Sequence, residues 1–147
     1  MNMLSFMSVS GAVTEEEKYL RGVWLSSVKN LDFPSKPGLS SEQLKKELDD
    51  VIATCKSAGI NAVFFQVRPC ADALYKSDIF PWSEVLSGTQ GKAPDGGFDP
   101  LEYLIKKAHA ENIEVHAWVN PYRVGKGDDG AEAVISALSE FSPAKQH

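Results

Sequence analysis

Ile60-Asn-Ala-Val-Phe-Phe-Gln-Val67 decides the fold of this chain. Nearly every residue in it is apolar, and a run of this length fits a strand covered on both faces, as in a parallel sheet. Upstream, Ser40 and Gln43 make a Ser-x-x-Gln capping box. Leu44, Leu48, Val51, Ile52, Cys55 and Ala58 then recur at helical spacing, and Gly59 supplies the stop. Before that helix, Arg21-Gly-Val-Trp-Leu-Ser26 is a short β-forming run, followed by a turn-rich stretch with Pro34, Pro37 and Gly38.

Downstream, a long segment rich in Gly, Pro, Asp and Ser runs from Arg68 to Phe98. Asp99-Pro100-Leu-Glu102 then opens a second helix. Asp is a good N-cap, Pro suits the first helical position, and Glu suits the first turn. Leu101, Leu104, Ile105 and Ala108 form its apolar stripe. Ile113 to Asn120 reads as a third strand. A Gly/Asp-rich loop leads to a last amphipathic segment carrying Ala131, Val134, Ile135 and Leu138.

The order strand, helix, strand, helix, strand, helix calls for a parallel sheet with right-handed crossovers. Two architectures satisfy it: an open doubly wound sheet, or the first part of a TIM (β/α)8 barrel. A complete barrel needs about 250 residues, so 147 residues favour the open sheet on length. The open sheet, however, usually carries a Gly-rich phosphate turn after its first strand. Here that strand runs into Ser26-Ser27-Val28-Lys29-Asn30, so local chemistry favours an incomplete barrel. Residues 1–17 are expected to be a flexible N-terminal segment, and residues 18–147 one partial barrel domain.

Composition narrows the partners. The net charge of -5 is spread without a basic patch, which speaks against nucleic acid and anionic membrane surfaces. No apolar stretch approaches the roughly 20 residues of a membrane-spanning helix. Cys55 and Cys70 form no metal motif, and no cofactor fingerprint is present; neither metal nor cofactor is expected. The two thiols read as unpaired, with one of them buried. Met1 to Val13 lacks a basic n-region and a long apolar core, so it makes a poor signal peptide.

Period-two alternation locates the polar residues. Val63, Phe65 and Val67 share one face of the second strand, opposite Ala62, Phe64, Gln66 and Arg68. In the third strand Val115, Ala117 and Val119 oppose Glu114, His116, Trp118 and Asn120. In the first, Val23 and Leu25 oppose Gly22, Trp24 and Ser26. Each strand has one apolar face for helices and one that turns polar or aromatic toward its C-terminal end, where ligands bind in parallel α/β proteins. Trp24, Ser26, Gln66, Arg68, His116, Trp118 and Asn120 are expected to converge on one cleft, with Arg68 and His116 buried among polar partners. Taken singly, the His and the Trp residues would more often belong to a core.

The long segment after the second strand holds Tyr75, Phe80, Pro81 and Trp82 and is expected over that cleft, where rings either stack on sugars or pack the loop down. Arg21-Gly-Val-Trp-Leu-Ser26, Asn61-Ala-Val-Phe-Phe-Gln-Val-Arg-Pro69, Asp72-Ala-Leu-Tyr75, Phe98-Asp-Pro-Leu101 and His116-Ala-Trp-Val-Asn-Pro-Tyr-Arg123 occur in order. Together they resemble the N-terminal part of the glycosyl hydrolase-like barrel family distantly related to family 10 glycoside hydrolases. The resemblance runs from about Tyr19 to His147.

It implies a (β/α)8 barrel, a polysaccharide substrate, bacterial cell-wall glycan for some relatives, and a secreted or envelope setting. The matching positions are Arg68, Asp72, Tyr75, His116, Trp118, Asn120 and Arg123. Ala71 stands where such proteins often have Gly before the Asp, which alters the backbone freedom of that loop.

Glycoside hydrolysis usually needs two carboxylates flanking the scissile bond. Related barrels carry the key acids on later strands. Glu84, Asp95, Asp128 and Asp129 read as solvated loop charge, Asp72 as a hydrogen-bond acceptor for sugar hydroxyls or Arg68, and Glu114 lies at the wrong end of its strand. No catalytic pair is assigned. The substrate-binding residues expected are Trp24, Gln66, Arg68, Asp72, Tyr75, His116, Trp118, Asn120 and Arg123. The parent is expected to be a glycoside hydrolase, with this chain inactive by itself. A non-catalytic glycan-binding module and a small open-sheet interaction domain are the alternatives, and exposed sheet edges would favour oligomers.

Overall fold

The computed structural model describes residues 19–125 and 131–146. The expected N-terminal segment, and Asp128 and Asp129, lie outside the described residues. In chain order the elements are β1 (Gly22–Leu25), α1 (Ser41–Ser57), β2 (Ala62–Arg68), α2 (Glu84–Ser87), α3 (Pro100–Ala110), β3 (Glu114–Val119), α4 (Ala131–Ala137) and α5 (Pro143–Gln146). Short 3-10 turns occupy Val28–Asn30 and Asp95–Gly97. The three strands form one parallel sheet in the order β1-β2-β3. This is the α/β arrangement expected from the alternation of strands and helices.

The helix boundaries follow their capping chemistry. The Ser40 hydroxyl accepts from the Gln43 amide, and the Gln43 side chain accepts in return from the Ser40 amide. Two otherwise orphaned donors are thereby satisfied. Gly59, with φ +69°, turns the chain into β2 where a side chain would be strained. At α3, Asp99 caps the Glu102 amide at 3.0 Å and Pro100 fills the first position.

One face of the sheet is sealed. Val63, Phe65 and Val67 are buried with Leu44, Leu48, Ile52 and Cys55 of α1 and with Leu104 and Ala108 of α3. The two helices are also joined at their surface, where Asp49 accepts from the Tyr103 hydroxyl and pairs with Lys107 at 2.9 Å. Phe33 meets Phe65 edge-on, with centroids 5.7 Å apart. Both cysteines are free and both are buried, which corrects the expectation of one. Cys70 is sealed because the segment after β2 folds back over the strand end. Burial pushes the Cys55 thiol above its usual pKa.

That segment is a packed loop. Its Leu74 amide donates to Val67 O at 2.8 Å, Ala73 and Trp82 form an isolated bridge, and Leu74, Val85 and Leu86 are buried. At the sheet margins the described chain leaves β1 and β3 as edges, with Val23 and Val119 exposed.

Candidate functional site

The helix-free face of the sheet begins with a glycine. A Cβ on Gly22 would lie 2.6 Å from the Phe64 ring, so the absence of a side chain lets that ring lie across β1. Register then sets Trp24, Phe64 and His116 side by side on three strands. Their rings make a continuous row: Trp24 to Phe64 at 4.8 Å, and Phe64 to His116 at 4.7 Å and nearly parallel. Trp24 also meets Trp118 edge-on at 5.1 Å. Trp24 remains 61% exposed and the His116 side chain 44%. Phe64 was not singled out from the sequence, although its parity with Gln66 was the available signal.

Above this row, toward the C-terminal strand ends, Gln66 is buried. Its Oε1 accepts from the Ser26 hydroxyl and the Ser27 amide at 3.0 Å, and from the Val28 amide at 2.9 Å. The Ser27 hydroxyl donates to Gln66 O at 2.7 Å. Two backbone donors on one end of the amide fix which end is oxygen. Nε2 therefore points the other way, and it is buried with no partner among the described residues. An orphaned buried donor is costly and marks either stored strain or a waiting acceptor.

Arg68 lies where the pairing of β2 with β3 becomes irregular. A register irregularity between Gln66 and Arg68 sets Arg68 opposite Val119, so β2 carries one extra residue against β3 there. Its guanidinium lies 4.5 Å from the Phe80 ring centroid, and Nη2 donates to Pro121 O at 3.4 Å. Arg68 is half-buried and His116 half-exposed, which corrects the expectation that both are buried among polar partners. Open sheet margins and a ring stack, rather than polar enclosure, surround the imidazole. Glu114, at the start of β3, lies 3.3 Å from His116 Nε2.

Asn120 knits the strand ends together. Its amide donates to Arg68 O at 3.0 Å, its Nδ2 to Pro69 O at 3.1 Å, and its Oδ1 accepts from Trp118 Nε1 at 3.0 Å. Asp72 stands elsewhere. It is buried, accepts from the Cys70 amide at 3.2 Å, and lines a cavity of about 190 Å³ with Glu84, Gln90 and residues of α4. Tyr75 packs against the core. Arg123 is exposed beyond β3. The structure thus brings together Trp24, Gln66, His116, Trp118 and Asn120, with Arg68 at the rim, and sets Asp72 and Tyr75 in the neighbouring loop. Among the described residues, no group of three or more His, Cys, Asp or Glu could hold a metal ion, and no helix is long and apolar enough to cross a membrane.

Comparison with known proteins bears on this arrangement. The family described as glycosyl hydrolase-like 10 matches residues 19–145. The glycosyl hydrolase YngK of Bacillus subtilis is 43% identical over 136 residues, covering 92% of this chain and 26% of that protein. The glycosyl hydrolase DigH of Escherichia coli K12 is 40% identical over 112 residues, covering 71% of this chain and 25% of that protein. The chain therefore spans about a quarter of the length of the curated relatives it matches. A solved α-L-fucosidase from Bacteroides thetaiotaomicron aligns over 85% of this chain and 34% of its own, at 16% identity and a TM-score of 0.40.

Proposed function

This chain belongs to the glycosyl hydrolase-like 10 family, and from that premise we propose that it forms the opening wall of a (β/α)8 barrel in a parent protein that hydrolyses a glycan. The observation that carries the reading is the aromatic row Trp24–Phe64–His116 with Trp118 beside it, on the face free of helices and below an unsatisfied amide donor. Sugar rings present apolar C–H faces to aromatic rings and hydroxyls to amides and guanidinium groups, so flat rings beside polar donors suit a carbohydrate. The strand C-terminal end is also the functional end of parallel barrels.

The substrate we propose is a polysaccharide, with bacterial cell-wall glycan as the specific candidate that the family resemblance implies. In this reading Trp24 and Trp118 hold the sugar faces, Gln66 and Arg68 donate to hydroxyls, and Asn120 holds Trp118 in place. The acid and base belong to other strands of the parent. Glu84 and Asp95 are exposed in the loop, and Glu114 lies at the N-terminal end of its strand. The isolated chain is therefore expected to bind but not to cleave.

Replacing His116 with Ala and Arg68 with Ala tests the site. Each is expected to weaken oligosaccharide affinity several-fold while circular dichroism and melting remain near those of the parent chain. Unchanged affinity in both variants would remove the cleft assignment. Turnover of glycan by the pure chain, abolished by either substitution, would overturn the claim that it does not cleave. A glycan-holding module without catalysis differs in the rest of the parent sequence, which would then lack acids at its later strand ends.

A further inference from the structure

A second groove lies on the outer side of the long loop. It has a volume of about 550 Å³ and runs between Ser77–Trp82 on one wall and Phe141, Pro143 and Gln146 on the other. Ile79 is 66% exposed and Phe141 77% exposed, and both face this groove with Phe80 and Trp82. Large apolar side chains gathered in one open cleft, rather than scattered singly, mark an interaction site.

The walls are held in place. The Ser77 hydroxyl accepts from the Ile79 and Phe80 amides at 3.1 and 3.0 Å, which shapes the turn that presents those two residues. Gln90 Oε1 accepts from the Ser139 amide at 2.8 Å, and the Gly91 amide donates to Trp82 O at 2.8 Å. The loop thus grips the segment that carries Phe141. Polar residues border the rings: Asp78 on one wall and, on the other, Gln146, whose Nε2 donates one of its two N–H groups to Glu140 O at 3.1 Å.

Phe80 connects this groove to the sheet. Its ring lines the groove and also carries the Arg68 guanidinium at 4.5 Å. Arg68 stands at the rim of the β2 cleft, so one side chain borders both surfaces.

We infer that this groove is a further binding subsite, one that takes outlying sugar units of the same linear glycan whose inner units occupy the β2 cleft. Rings for C–H faces, with a carboxylate and an amide for hydroxyls, are the chemistry that recognises such a strand. Continuity through Phe80 is what commits the groove to a glycan over a peptide or a second copy of this chain. The inference rests on the glycan reading of the β2 cleft.

The test uses the 147-residue chain and β-1,4-linked N-acetylglucosamine oligomers of two to eight units, followed by tryptophan fluorescence, which Trp82 in the groove wall reports. Affinity is expected to rise with chain length. Phe141→Ala is expected to reduce the affinity of the longest oligomers by roughly fivefold to tenfold, the size of one ring contact, and to leave the disaccharide unchanged. Ile79→Ser, at another exposed position of the groove, should do the same. Arg68→Ala should weaken every length. If Phe141→Ala and Ile79→Ser leave all lengths unchanged while Arg68→Ala weakens them, the groove assignment fails and the cleft reading stands. If no oligomer binds, both fail.

Discussion

Two amide side chains bracket β2, and they end differently. Asn61, just before the strand, accepts from the Arg21 amide at 2.7 Å and donates to Tyr19 O at 2.8 Å. Its own backbone takes part in contacts to Arg21 and Glu114, so it ties the starts of all three strands together. Gln66, near the other end of β2, accepts four hydrogen bonds on its oxygen and has none on its buried nitrogen among the described residues. The Asn61 side chain is thus bonded on both its oxygen and its nitrogen, whereas at the other end the buried Gln66 Nε2 and Arg68 Nε have no partner among the described residues. Parallel α/β proteins divide their labour in this direction, with stability at the N-terminal ends of strands and ligands at the C-terminal ends.

Three substitutions probe the difference between the two ends. Gln66→Ala should have the largest effect, costing about 3 kcal/mol in denaturant unfolding, because it strands the Ser27 and Val28 amides and leaves a void. It should also lower oligosaccharide affinity in whatever fraction stays folded. Asn61→Ala should cost about 2 kcal/mol by leaving the Arg21 amide and Tyr19 carbonyl without their partner, with glycan affinity of the folded protein unchanged. Loss of affinity there would show that the two ends are not divided in this way. Trp24→Ala should change stability least, by about 0.5 kcal/mol, since the ring is mostly exposed. It should nevertheless reduce affinity, and an unaltered binding isotherm would remove Trp24 from the site.

Much of this arrangement was legible in the chain. The capping box at Ser40, the Asp99-Pro100 start and the helical repeat from Leu44 to Cys55 are local signals, and the structure realises each one. The two faces of β2 were legible because alternation is a property of a single strand. The position of Arg68 was not. An irregularity in pairing depends on how two strands meet, and no periodicity within one strand announces it. Burial of Cys70 escaped for a similar reason, since the loop that covers it is held by contacts such as Leu74 to Val67 rather than by a local pattern. Phe141 lies far along the chain from Phe80, and nothing in either neighbourhood pairs them.

By itself, then, the sequence determined the three strands, the long helices α1 and α3, the parallel order and the two faces of β2 as far as Gln66. Those features follow from side-chain spacing and capping, which act over a few residues. Only the tertiary structure decided that Gln66 spends its oxygen on the β1 end and keeps a buried donor, that Arg68 lies on Phe80, and that the long loop closes a second aromatic groove against the C-terminal segment. Those outcomes are set by competition among partners distant in sequence, and such a competition is settled only when the chain is packed.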